Sequence, residues 1–248
     1  MISVVMIVKN GERCVAQVLK ALQSFDEVIV ADTGSTDETL AIAKNFSNVS
    51  LHKIPFNGFG EARNLAANLA KHDWILSIDC DEVPSPQLVS EIESLSLEEG
   101  TLYSIPFQNY FNDKWIKWCG WHPEEHIRLY HRKKTAFCTS LVHEGIEKKG
   151  FKIQKLQNPI HHYPYATISD FLKKMERYST LFAEQYYGKK RSTPGIAAWH
   201  GMGAFLKSFF LKRGFLGGYE GFLISVYNGH TAFYKYLKLY HLNKSRLC

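Results

Sequence analysis

Cysteine is scarce and scattered in this chain of 248 residues. The five cysteines, Cys14, Cys80, Cys119, Cys138 and Cys248, are odd in number and form no CxxC pair. That spacing excludes a disulfide framework and a zinc ribbon, and it fits a reducing compartment. Long apolar runs are missing too. The run in MISVVMIVKNGE lasts about eight residues with no basic segment before it, and a signal peptide or membrane-spanning helix needs more. The segment is therefore expected to be a strand, and the protein cytoplasmic. No GxGxxG follows it, which excludes the dinucleotide-binding fingerprint. The glycine- and basic-rich phosphate loop expected of a nucleotidyltransferase is also absent. No low-complexity tract, short repeat or RNA- or DNA-binding motif occurs, so nucleic acid is not an expected partner.

Acidic residues run short in the last part of the chain. Residues 151–248 hold only 4 Asp+Glu against 15 Lys+Arg, whereas residues 1–150 hold 20 Asp+Glu against 15 Lys+Arg. The balances are +11 and −5, so the later part is expected to face something anionic. Within it, Trp199, Phe205, Phe209, Phe210 and Phe215 are interleaved with Lys207, Lys212 and Arg213. Aromatic and cationic residues at helical spacing suit a helix lying in the interface of an acidic membrane. They also suit a helix packed on the rest of the protein.

What is present in the first hundred residues is an alternation of strand and helix signals. ISVVMIV, EVIVAD and WILSID are short β-branched runs, as in strands buried on both faces, and VSLHKIPF is a weaker one. Between them, Val15, Val18, Leu19 and Leu22 fall at helical spacing, as do Ala62, Leu65, Ala66 and Leu69. Ser35 with Glu38 has the spacing of a capping box. Four such units imply a mostly parallel sheet with right-handed crossovers, whose ligands bind at the carboxyl ends of the strands. From residue 101, TLYSIPFQNYF, HIRLYHR and FKIQKLQNPIHHY read as further strands, antiparallel and partly solvent-facing. From Ile168 the chain turns helical, with an amphipathic segment and then an apolar-aromatic one interrupted by Lys207.

The residues able to carry chemistry fall at those carboxyl ends. Asp79 and Asp81 flank Cys80 where the fourth strand ends. Charge beside a buried strand is costly unless compensated, and Mg²⁺ or Mn²⁺ takes carboxylate and phosphate oxygens. Asp81 or Ser85 is alternatively placed to cap the next helix. Asp32 ends the second strand, where it can accept hydrogen bonds from a base or ribose or else form a turn. Lys9-Asn10-Gly11 is a turn at the same edge. Arg63, a cation among small residues, is suited to a diphosphate or to solvent.

VVMIVKNGE, EVIVADTGSTDET, FGEARNLA and WILSIDCDE, in this order and spacing, resemble glycosyltransferase family 2. HIRLYHRK, LVHEGI and PIHHY resemble its branch of bacterial lipopolysaccharide-core glucosyltransferases related to the β-1,4 type. The resemblance covers nearly the whole chain. It implies the GT-A nucleotide-diphospho-sugar fold, a mostly parallel central sheet flanked by helices, with a helical C-terminal extension. Residues 1–165 would then be the catalytic domain and residues 166–248 a basic, aromatic-rich segment touching membrane or acceptor.

The implied activity is inverting transfer of a hexose, glucose first, from a UDP-sugar or another nucleotide sugar to a saccharide or lipid-linked saccharide acceptor at the inner face of the cytoplasmic membrane. The acceptor would be the lipopolysaccharide inner core or, as the alternative, another cell-envelope polysaccharide. By position, Val8, Lys9 and Asp32 would hold the nucleoside. Asp79 would touch ribose and metal, Asp81 would ligate the metal, and Arg63 would support the nucleotide. Family members often carry the catalytic base in a Glu-Asp pair after the DxD, and no such pair occurs here. Glu144 in LVHEG and Glu125 in WHPEEH are the two candidates, Glu144 first. His143 and the His161-His162 pair are further candidates for a metal or phosphate contact. A non-catalytic membrane adaptor on the same fold is the competing class.

Overall fold

The structure, a computed structural model, describes residues 1–138 and 145–245. The chain divides into two compact units, Met1–Gln108 with Glu124–His162, and Asn109–Pro123 with Tyr163–Cys248.

The first unit opens with the expected alternation. β1 (Ile2–Val8), α1 (Val15–Ala21), β2 (Glu27–Asp32), α2 (Thr39–Ala43), β3 (Val49–Lys53), α3 (Phe59–Asn68) and β4 (Trp74–Asp79) follow one another. The apolar, β-branched runs of β1, β2 and β4 are buried on both faces, as central strands require. They lie parallel in the order β3-β2-β1-β4. The register sets Val8 beside Asp32 and Ile7 beside Asp79, so these strands end at one edge.

β5 (Glu82–Pro84), α4 (Pro86–Glu93), β6 (Thr101–Phe111), β7 (Lys114–Trp115), β8 (Glu124–His131), β9 (Lys152–Lys155) and β10 (Ile160–His162) come next. β8 runs antiparallel to β4 and to β6, and β10 runs antiparallel to β5. The sheet is thus mixed, with the expected parallel run as one part of it. β6 is more buried than expected: its first five residues are all enclosed, because β8 and β9 flank it.

Local packing follows the apolar pattern in α1, where Val15, Val18, Leu19 and Leu22 are all buried. It departs from the expectation in α3. That helix buries Ala62, Arg63, Ala66 and Ala67 and leaves Leu69 exposed at its end. The buried stripe is rotated by about one residue, because the Arg63 side chain is needed inside. The expected capping box also fails to form. α2 begins only at Thr39, and the Ser35 hydroxyl instead accepts a hydrogen bond from the Asn10 amide at 2.9 Å. The cap that does form is Ser85, whose hydroxyl accepts from Leu88 N at the start of α4.

The second unit is helical, with β7 paired to Tyr110 and Phe111. α5 (Ile168–Tyr186) starts at a capping box formed by Thr167 and Asp170. α6 (Pro194–Leu206) starts at a Thr193 cap followed by proline. The interruption expected at Lys207 is where α-helix gives way to a π-helical turn, Lys207–Leu211. A short 3-10 helix, Gly214–Gly217, then leads into α7 (Gly218–Ser245). Phe111, Ile116, Cys119, Tyr165, Phe171 and Ile224 form the core, with Tyr165 and Phe171 stacked at 3.8 Å between centroids. Among the described residues no helix is long and apolar enough to cross a membrane.

Candidate active site

The carboxyl ends of β1 and β2 are tied together by side chains. Thr33 donates from its amide and its hydroxyl to the Val8 carbonyl, at 2.9 and 3.1 Å. Asn10, in the left-handed region at φ 53°, accepts from Thr36 N at 2.8 Å. Gly11 N donates to the Thr39 hydroxyl at 2.8 Å. Asp37 accepts from Glu12 N at 3.2 Å, and Glu12 in turn accepts from Glu38 N at 3.1 Å. These reciprocal contacts satisfy the orphan amides of both loops and hold them as one rim. Asp32 is buried beneath it, one oxygen accepting from Ser35 N at 2.9 Å. Lys9 is exposed on the same rim.

The end of β4 is built on charge. Arg63 reaches across from α3 and donates to both oxygens of Asp79, at 2.8 and 2.7 Å. Arg128, from β8, approaches the same carboxylate at 3.3 Å and pairs closely with Glu82. Glu82 also accepts from the Asp79 amide at 3.0 Å, which closes the turn between β4 and β5. Each guanidinium lies near rings, Arg63 at 5.1 Å from Phe137 and Arg128 at 5.4 Å from Phe107. Arg63 is therefore an internal counterion rather than a solvated cation. Burial raises the Asp79 carboxyl, yet the charges of Arg63 and Arg128 outweigh it and hold the group well below the usual carboxylate range. Glu82, nearly inaccessible, is pushed up by burial against the pull of Arg128.

Asp81 stands apart from this network. Its side chain is 34% exposed, and the His162 Nε2 lies 3.6 Å from its Oδ2. The antiparallel register of β5 and β10 brings them together, because His162 pairs with Glu82, the next residue. Burial lowers the His162 imidazole, but the hydrogen bond to Asp81 and the nearby carboxylates raise it above its ordinary value. Among the described residues no three His, Cys, Asp or Glu side chains gather as a metal-holding group. The Asp81 carboxylate is nonetheless the kind of oxygen donor that Mn²⁺ or Mg²⁺ takes, with phosphate oxygens completing the set.

Of the two candidate bases, Glu125 lies on β8, exposed, with its carboxylate 2.8 Å from Lys155 Nζ on β9. It lines a cleft with Arg128, Phe137, Gly145 and Ile146. Glu144 and His143 lie outside the described residues, but Gly145, which follows Glu144, is on that cleft. Arg128 and Glu82 are not among the residues expected at the site from sequence. The available signal was a cation enclosed in the apolar run Ile127-Arg128-Leu129-Tyr130, which has to meet a buried carboxylate.

Comparison with known proteins adds to this geometry. The sequence model of Glycosyl transferase family 2 matches residues 3–158. An uncharacterized glycosyltransferase of Rickettsia typhi is 31% identical over 265 residues, covering 99% of this chain and 89% of that protein. The lipopolysaccharide core biosynthesis glycosyltransferase LpsC of Rhizobium meliloti is 24% identical over 275 residues, covering 99% of this chain and 94% of the relative. Among solved structures, S. aureus TarS 1–349 in complex with UDP is similar at a TM-score of 0.49 and 16% identity. That match covers 99% of this chain and 91% of the other.

Proposed function

The chain belongs to glycosyl transferase family 2 and is a glycosyltransferase, and from that premise we propose a specific reaction and assign its residues. A hexose, glucose first, moves with inversion from UDP to a saccharide of the lipopolysaccharide inner core. Because that acceptor is lipid-linked, the enzyme works at the inner face of the cytoplasmic membrane. The observation that carries the reading is the division of labour between the two aspartates. Asp79 has its charge offset by Arg63 and Arg128, whereas Asp81 has its carboxylate open to a ligand.

Val8, Lys9 and Asp32 border the nucleoside, where the buried Asp32 carboxylate retains an oxygen able to accept from a base or ribose. Asp79, a carboxylate with more acceptor sites than its arginines occupy, faces the ribose hydroxyls. Arg63 supports the nucleotide side by holding Asp79. Asp81, with His162 beside it, is the ligand for Mn²⁺ or Mg²⁺. Such a cation supplies positive charge to the diphosphate as it departs. A carboxylate, Glu144 first and Glu125 second, takes the proton from the acceptor hydroxyl. The acceptor oxygen then bonds to the anomeric carbon on the face opposite the leaving UDP.

Calorimetric titration of UDP tests the donor and the cation together. Binding is expected with Mn²⁺ and is expected to vanish in EDTA. Equal binding in both conditions would remove the metal from the assignment, and no binding in either would remove UDP. The base is tested separately. Glu144→Gln should keep UDP binding and lower transfer by about 10²–10³-fold. If Glu125→Gln does so and Glu144→Gln does not, the base is Glu125.

A further inference from the structure

α6 is built inside out. A helix packed on a protein in water normally buries its large apolar side chains and exposes its polar ones. Here the buried positions are small, Ala197 and Gly201. A Cβ on Gly201 would lie 2.9 Å from the Phe233 Cβ and 3.2 Å from the Gly229 carbonyl. α6 and α7 therefore meet backbone to backbone. Trp199, Met202, Leu206 and Phe210, spaced at three- and four-residue intervals on one stripe, point outward instead, with Trp199 78% exposed.

The stripe widens past the π-helical turn. Phe209 joins three further rings: Phe210 at 5.1 Å, and Phe215 and Phe222 at 6.3 Å each. All three are about half exposed, so this is one continuous apolar surface rather than scattered side chains.

Its charge identifies the occupant. Lys207, Lys212 and Arg213 sit on the same turn, all exposed, and none forms an ion pair among the described residues. From residue 185 to residue 219 the sequence has no Asp or Glu, and Glu220 is already paired to Lys114 at 3.0 Å. A second copy of the chain docked symmetrically would bring these cations against their own equivalents, which repel. Aromatic and aliphatic side chains rimmed by unpaired cations match an acidic bilayer surface, with the helix lying in the interface rather than crossing it.

We propose that residues 196–222 are a docking face for an anionic membrane surface. The proposal deepens the reading of a lipid-linked acceptor by naming the contact. Its test needs neither donor nor acceptor, so the two readings fail separately.

Full-length protein is floated with vesicles of phosphatidylcholine alone and of phosphatidylcholine mixed equally with phosphatidylglycerol. Binding to the mixed vesicles only, weakened by high salt, is expected. The combination Lys207→Ser, Lys212→Ser and Arg213→Ser should weaken it by about 100-fold. Trp199→Ser with Phe210→Ser should weaken it by about tenfold or more with every cation intact. Thermal melts like those of the parent protein confirm that each variant is folded. Absence of binding, or equal binding by parent and triple variant, overturns the proposal. So does concentration-dependent self-association in sedimentation that Phe210→Ser abolishes, because a second copy would then be the occupant.

Discussion

Asp81→Ala is expected to lower transfer, and the slower hydrolysis of the UDP-sugar, by about 10⁴-fold, if cation stabilisation of the leaving diphosphate supplies several kcal/mol. The reasoning starts from what Asp81 does not do. Among the described residues it forms no ion pair with either arginine, and its side chain meets His162 at 3.6 Å. Removing its carboxylate should therefore leave the fold and the melting temperature close to those of the parent. What is lost is the oxygen ligand, so UDP binding in Mn²⁺ should fall to the level seen in EDTA. Calorimetry and a donor-hydrolysis assay read the two effects independently. Parent-like turnover by Asp81→Ala would sink the metal assignment, whatever the binding data show.

Arg128→Met is expected to act first on stability. Glu82 is almost inaccessible, and Arg128 is the cation that meets it, while Asp79 keeps Arg63. Removing one partner from a buried ion pair typically costs about 3–5 kcal/mol, because the other charge is left uncompensated. For a unit of this size that corresponds to a melting temperature lower by roughly 10 °C or more. Glu82→Gln added to Arg128→Met should restore a large part of the loss. It removes the stranded charge and keeps a carbonyl oxygen for the Asp79 amide. The pattern to look for in thermal melts is a double variant more stable than the single one. A single variant that melts like the parent would mean that the network is not what holds this turn. Activity should fall in both variants, because the β4–β5 turn carries Asp79 and Asp81.

Much of this was legible in the chain. The β-branched runs of β1, β2 and β4 and the spacing of Val15, Val18, Leu19 and Leu22 depend only on neighbours a few residues away. So does the placing of Asp32, Asp79 and Asp81 at strand ends. Elsewhere the structure departs from local spacing for one reason. Ser35 and Glu38 have the spacing of a capping box, yet the Ser35 hydroxyl is used by Asn10, which lies 25 positions away. Leu69 completes a helical stripe on paper, but the buried stripe turns toward Arg63, whose partner is 16 positions on. Arg128 reads as one cation in a strand, and its partners are 46 and 49 positions earlier.

The sequence by itself determined the order and type of the elements, the edge of the sheet where the chemistry gathers, and the division of charge along the chain. Periodicity and turn chemistry settle these, and both act over a few residues. Only the tertiary structure decided that Asp79 is shared by two arginines, that His162 stands beside Asp81, and that α6 turns its large side chains outward. Those outcomes rest on strand register and on glycines that let two helices touch. Such contacts join residues far apart in the chain, and local spacing carries no record of which partner each one meets.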